Sequence, residues 1–240
     1  MNLAKLFILS LFLITGCSDN KTNQYKDYIF GTIIDIKIYK EDPIKSDKVT
    51  NLIFNDFHRL HKYLHAWQPS EISNINNAIK ENRWYQIDDP EIIKILEDNK
   101  VLSKQTNGLF NPAIGELINL WGFHSDLPAN NLPNTSLILD YLKNPPSMND
   151  LIIENKMLRS KNTRLQIDLG GYAKGYALAR AKKILLDNNI QHALINIGGN
   201  ILALGKPGDR FWKVGIQHPR KAGAIASVEL KPGWSIGTSG

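Results

Sequence analysis

Beyond Tyr28-Ile29-Phe30-Gly31-Thr32 the chain alternates strictly, with Ile34, Ile36 and Ile38 on one side and Asp35 and Lys37 on the other. Period-two alternation predicts a half-buried strand. Val49, Ile53, Phe57, Leu60 and Leu64 then recur at helical spacing and predict an amphipathic helix. Pro69 stops regular structure after it, and Ser70 or Ser73 can cap the next segment. Asp89-Pro90 reads as an N-cap and first helical residue, opening a helix that carries Ile92, Ile95 and Leu96. Asn111-Pro112 repeats that signal before Ile114, Leu117, Ile118 and Trp121. Leu127 to Pro146, rich in proline and asparagine, predicts a surface excursion with one short helix around Leu137 to Leu142. Leu151–Leu158 and Leu165–Leu169 are expected as a strand pair. Ala193–Ile197 and Ile201–Leu204 are expected as strands joined by Gly198-Gly199-Asn200, and Phe211–Gln217 and Ile225–Leu230 alternate again. Strands that neighbour each other in sequence favour an α+β fold, with mixed or antiparallel sheets and packed helices.

The stretch from Asp168 to Gly205 organises the rest. An apolar run, Leu165–Leu169, ends at Gly170-Gly171, and a helical face of Ala173, Tyr176, Ala177, Ala181, Ile184 and Leu185 follows at once. A glycine turn entering a helix leaves backbone N–H groups unpaired where the macrodipole favours an anion, so a phosphate fits there. Lys174 adds a cation to the same spot. The same residues also suit a plain connection with a surface lysine, and the octapeptide alone does not separate the two. Trp67 beside the Pro69 turn is either a stacking platform for an aromatic ligand or a cover for the core.

Composition narrows the classes. The 240 residues carry 42% hydrophobic and 22% charged residues and a net charge of +6 without a Lys/Arg block, which does not suggest nucleic acid. His58 and His61, with His65 after them, lack a carboxylate at matching spacing and read as solvated or capping residues rather than metal ligands. At the N-terminus one lysine precedes the apolar segment Leu6–Ile14, too short to span a bilayer, and Ile14-Thr15-Gly16-Cys17 follows. This resembles a bacterial lipoprotein signal over 1–16, with lipid on Cys17, the single cysteine, and a flexible tether over 17–27. The expected location is the periplasmic face of a bacterial membrane, with the domain over 28–240.

The order of the motifs resembles the FAD:protein FMN transferase, or ApbE, family. The landmarks are Phe30-Gly31-Thr32; Ser70-Glu71-Ile72-Ser73 with Asn76; Thr106-Asn107-Gly108-Leu109-Phe110-Asn111-Pro112; and Leu120-Trp121-Gly122-Phe123. Asp168-Leu169-Gly170-Gly171-Tyr172-Ala173-Lys174-Gly175 follows, then Ile197-Gly198-Gly199-Asn200, Trp212 with Ile216 and Pro219, and Thr238-Ser239-Gly240. The resemblance implies an ApbE-like, T-fold-like architecture. It also implies Mg²⁺-dependent transfer of FMN from FAD to a threonine hydroxyl of an acceptor protein, with release of AMP. The acceptor implied is a flavinylated electron-transfer subunit. Carried onto this chain, Asp168, Lys174, Phe30, Trp67, Leu109, Phe110 and Asn111 look like FAD contacts, and the carbonyl of Gly171 looks like a metal ligand. No catalytic base is assigned, and Thr238 and Ser239 are left as ligand hydroxyls or a turn.

Departures from the family pattern carry their own expectations. Asn111 replaces a usual aspartate, Ala113 a usual threonine, and Ala179 a common aspartate. The His-x-x-Asp-Pro and Asp-x-x-x-Thr motifs that complete the family's metal site do not occur in the 240 residues. The resemblance thus implies a C-terminally truncated transferase, lacking its last strands and helix, with little activity in this form. Alternatives are a flavin-binding lipoprotein without catalysis, an FAD pyrophosphatase giving FMN and AMP, and a surface scaffold. No Gly-x-Ser-x-Gly elbow supports a serine hydrolase.

Overall fold

A computed structural model describes residues 21–125 and 132–238. The signal segment, Cys17 and Ser239 lie outside the described residues. The chain opens with strands β1 (Thr22–Ile29) and β2 (Thr32–Tyr39), then helices α1 (Pro43–Tyr63) and α2 (Glu71–Lys80) and the short strand β3 (Tyr85–Gln86). Helices α3 (Pro90–Gln105), α4 (Gly115–Leu120) and α5 (Thr135–Tyr141) precede strands β4 (Leu151–Glu154) and β5 (Met157–Ser160). Helix α6 (Ala173–Asp187) leads to β6 (Ala193–Ile197), β7 (Asn200–Leu204), β8 (Trp212–Gln217), β9 (Ala224–Leu230) and β10 (Ser235–Ile236). All three sheets are antiparallel: a five-stranded sheet ordered β1-β2-β6-β7-β10, a three-stranded β3-β5-β4 and the β8-β9 hairpin. The fold is α+β, as the pattern predicts.

The five-stranded sheet buries Ile34, Ile36 and Ile38 of β2 and Ile195 and Ile197 of β6 against α1 and α6. Val49, Ile53, Phe57 and Leu60 come from α1, and Ala177, Ala181 and Leu185 from α6, so the predicted stripes are the ones that meet. A second, smaller core on the opposite face joins Leu194, Ile201 and Ala203 to Trp212 and Leu230 of the β8-β9 hairpin. The indole N–H of Trp212 donates to the Leu204 carbonyl at 3.1 Å, so its polar atom is satisfied inside that core.

Three expectations change. The tether expected over 17–27 already contains a strand, because β1 starts at Thr22 and pairs with β2 in full register. Its inward residues Asn23, Tyr25 and Asp27 are matched to the flank of α1, and of its inward positions Ile29 at its end is buried and aliphatic. Asn23 donates to Ser46 Oγ and the Glu41 carbonyl, Tyr25 to the Pro43 carbonyl, and Asp27 pairs with His58. An edge strand satisfied this way needs no apolar alternation. Leu151–Leu158 is a hairpin rather than one strand, turned at Asn155-Lys156, whose φ values of 51° and 64° suit a type I′ turn. Leu165–Leu169 joins no sheet. It runs as an extended segment with one parallel bridge, Gln166 to Ile114, and Asn76 braces it from α2.

The turn at Gly198-Gly199 has φ of 54° and 91°, and a Cβ on Gly198 would lie 2.5 Å from the Thr32 hydroxyl. Both the turn and its packing against the first hairpin therefore require glycine.

Candidate functional site

The Asp168 segment is held in place before any ligand is considered. Buried Asn76 donates its amide N–H to the Ile167 carbonyl (2.9 Å) and accepts the Ile167 N–H (2.7 Å). These two bonds satisfy both polar groups of a strand that has no sheet partner there. The chain then turns at Gly170. Asp168 Oδ1 accepts the Gly170 N–H at 2.8 Å, so the strand-end capping role open to this carboxylate is present. Helix α6 begins at Ala173 with Tyr172 as N-cap and no side-chain capping bond. An uncapped helix start leaves backbone donors for something else.

Around this turn lies a cleft of about 260 Å³, lined by Phe30, His61, His65, Trp67, Asp168 and Lys174 among others. Lys174 makes no hydrogen bond or ion pair with any described residue. Phe30 sits at the tip of the β1-β2 hairpin with φ 56°, a backbone region that bulky side chains seldom adopt, and Gly31 follows with φ 68°. Its ring packs on Phe57 and meets the edge of His61 at 5.7 Å. His61 is held below the usual imidazole value, first by burial and then by the charge of His58. It is therefore a neutral wall of the cleft at pH 7.

Trp67 stacks on His124, with ring centroids 4.7 Å apart and 19° between planes, and His65 meets its edge at 4.3 Å. His124 Nε2–H donates to Asp168 Oδ2 at 2.9 Å. Burial alone would raise the Asp168 pKa. The His124 hydrogen bond, the Gly170 N–H and the charges of His124 and His65 outweigh it, and the carboxyl is held below its ordinary value. It is an anion throughout the neutral range.

Of the residues carried over from the motifs, Phe30, Trp67, Asp168 and Lys174 converge on one cleft. Leu109, Phe110 and Asn111 do not line it. Leu109 is 93% exposed, and Phe110 lines a separate depression with Gly171, Tyr172 and Tyr176. The Asn111 amide is already used: it donates to the Pro146 carbonyl and accepts from Ala113 N–H, which fixes the loop before α4. The helix expected from Pro112 accordingly starts only at Gly115, whose missing Cβ lets the Gln166 carbonyl approach. Gly171 is exposed and lies with Phe110, off the cleft wall. Among the described residues no three His, Cys, Asp or Glu side chains stand together as a metal site. A divalent ion on the Gly171 carbonyl alone lacks most of the oxygens a hard cation takes, so the described residues do not fit Mg²⁺ by themselves. His124 has no counterpart in the motif reading. It follows the Leu120-Trp121-Gly122-Phe123 landmark by one residue, and no spacing rule ties it to Asp168.

Fold and cleft together define a class: an antiparallel-sheet α+β domain with a cleft at a glycine-led helix start. The structure superposes on the ApbE protein of Thermotoga maritima with a TM-score of 0.81 at 27% identity, covering 92% of this chain and 71% of that one. It superposes on the flavin transferase ApbE of Vibrio cholerae at 0.75 and 21% identity, covering 92% and 72%, which speaks for the fold alone. Residues 30–240 match the ApbE family, and the chain belongs to that family. The FAD:protein FMN transferase of Rhodobacter capsulatus is 34% identical over 213 residues, covering 89% of this chain. One of Klebsiella pneumoniae is 28% identical over 229 residues, covering 93%. The chain spans 40% of the length of the first relative and 67% of the second.

Proposed function

We propose that this chain binds FAD in the Phe30–Lys174 cleft and serves the transfer of its FMN moiety to a threonine hydroxyl of an acceptor protein, releasing AMP. The observation that carries the reading is the coincidence, in one cleft, of an uncapped helix start, a Lys174 side chain without a partner among the described residues and two aromatic faces, in a chain whose relatives are named for this reaction. The first turn of α6 and Lys174 hold the pyrophosphate and spread its charge, which is most of what phosphoryl transfer asks of a protein. Phe30 and Trp67 contact the isoalloxazine, and Asp168 accepts hydrogen bonds from the ligand. In the transfer the threonine hydroxyl loses its proton and forms the new P–O bond, while the anhydride oxygen leaves on AMP. Mg²⁺ enters the reading through the family resemblance alone, since the described residues do not by themselves supply the oxygens it takes.

The reading extends to a lipid on Cys17 and a periplasmic location, supported by the apolar segment that precedes this single cysteine. The acceptor class, an electron-transfer subunit, rests on the family resemblance alone.

The test is titration of the purified protein with FAD, followed by incubation with Mg²⁺ and a threonine-bearing acceptor. AMP release and a flavin-labelled acceptor are expected. Failure to bind FAD overturns the reading. Binding without AMP release supports a second reading, a non-catalytic flavin-binding protein, which the lack of a metal-holding cluster of His, Cys, Asp or Glu among the described residues favours.

A further inference from the structure

Two of the groups that face the cleft depend on one residue outside every motif. The His124 side chain is 7% exposed and that of Asp168 is 9%, so their 2.9 Å bond is shielded from water. Charge-assisted bonds in such surroundings orient both partners. The ring face of His124 carries Trp67, a residue 42% exposed whose indole is also met by His65 in a T-shaped contact. The stacked pair also stands between the cleft and a second, polar depression of about 440 Å³, lined by Gln68, Asn77, Asn119 and Gln166. Trp67 lines both hollows, while Asp168 lines the first and His124 the second. The ring is thus part of a wall, with its edge on the carboxylate and its face on the indole.

We propose that His124 is a positioning residue for the flavin nucleotide: one imidazole fixes the Asp168 carboxylate by its Nε2–H and the Trp67 indole by its face. This rests on the reading that the cleft takes FAD. His124 itself need not touch the ligand. Its effect passes through the two groups it holds. A ring without a donor frees the carboxylate and keeps the stack, whereas a donor without a ring does the opposite. The two functions are therefore separable by substitution.

The experiment measures FAD affinity of the purified chain and of His124→Phe, His124→Gln, Asp168→Asn and the His124→Phe/Asp168→Asn double variant, with thermal melts of each. His124→Phe is expected to bind FAD about tenfold more weakly, the value of one lost charge-assisted bond. His124→Gln, which restores an N–H donor, is expected to recover to within about threefold of the parent. In the Asp168→Asn background His124→Phe is expected to add much less than tenfold, because the amide oxygen leaves only a weaker, neutral bond to remove. Additive losses, or no loss in any His124 variant while the parent binds FAD, overturn the positioning role and leave the flavin reading intact. No FAD binding by the parent overturns the flavin reading and this role with it. Should His124→Phe fail to fold, His124→Leu, which likewise removes the donor, is run through the same cycle and decides in the same way.

Discussion

Within helix α6 the molecule treats charge in two opposite ways, less than two turns apart. At Tyr176 and Arg180 every group is paired: Arg180 donates to Asp56 and Glu91, Tyr176 to Glu91, and Arg59 to the same two carboxylates. At the first turn Lys174 has no partner among the described residues and no side chain caps the helix. The paired region ties α1, α3 and α6 together. The unpaired one faces a cleft. Saturated polar groups mark where the helix serves the fold, and unsatisfied ones mark the end that the proposed function gives to the ligand.

The sharpest way to break this comparison is to exchange the two behaviours. Lys174→Gln is expected to weaken FAD binding by about 10- to 100-fold, as loss of a charge-assisted phosphate contact would, with an unchanged melting temperature. A variant that melts early instead would show that Lys174 supports the fold. Asn76→Ala comes next. It strands the Ile167 N–H and carbonyl together and should cost about 2–3 kcal/mol in denaturant titrations, with binding weakened as the Asp168 segment loosens. Arg180→Ala is the mirror of Lys174→Gln. Because its side chain is 36% exposed, about 1 kcal/mol of stability should be lost, and FAD affinity should stay at the parental value.

Acid sharpens the same contrast. Burial would raise the pKa values of Asp56 and Glu91, but the hydrogen bonds and charges of Arg180, Arg59 and Tyr176 hold both below the ordinary carboxylate value. Lowered folded values mean that the unfolded chain takes up protons first as pH falls. The stabilisation is complete above the ordinary range near about pH 4 and is lost as pH drops through the folded values. Melts from pH 7 to 3 should therefore fall more steeply for the parent than for Arg180→Ala. Parallel curves would remove the network from the account.

The sequence made legible whatever has a period. The stripes of α1 and α6 and the alternation of β2 predict both the elements and the core they form, because burial forces apolar spacing. Strand β1 escaped because its inward face, Asn23, Tyr25 and Asp27, is matched by hydrogen bonds rather than apolar contact. The turn at Gly170 and the helix start were readable, since glycine and an apolar run specify local geometry. Leu109, Phe110 and Asn111 lie off the Phe30–Lys174 cleft, in a loop where the Asn111 amide bonds Pro146 and Ala113, a placement that their motif does not encode. His124 shows the complementary limit, since a contact across 44 residues leaves no trace in either segment.

Phe30 carries a consequence for anyone who would improve this protein. A hairpin turn with positive φ at its first position favours Asn or Gly, and holding a phenyl side chain there costs roughly 1 kcal/mol. A library sorted for heat resistance would discard that ring and keep Asn or Gly in its place. Its winners are expected to be sturdier proteins with poorer flavin affinity, the two traits being traded at a single turn position.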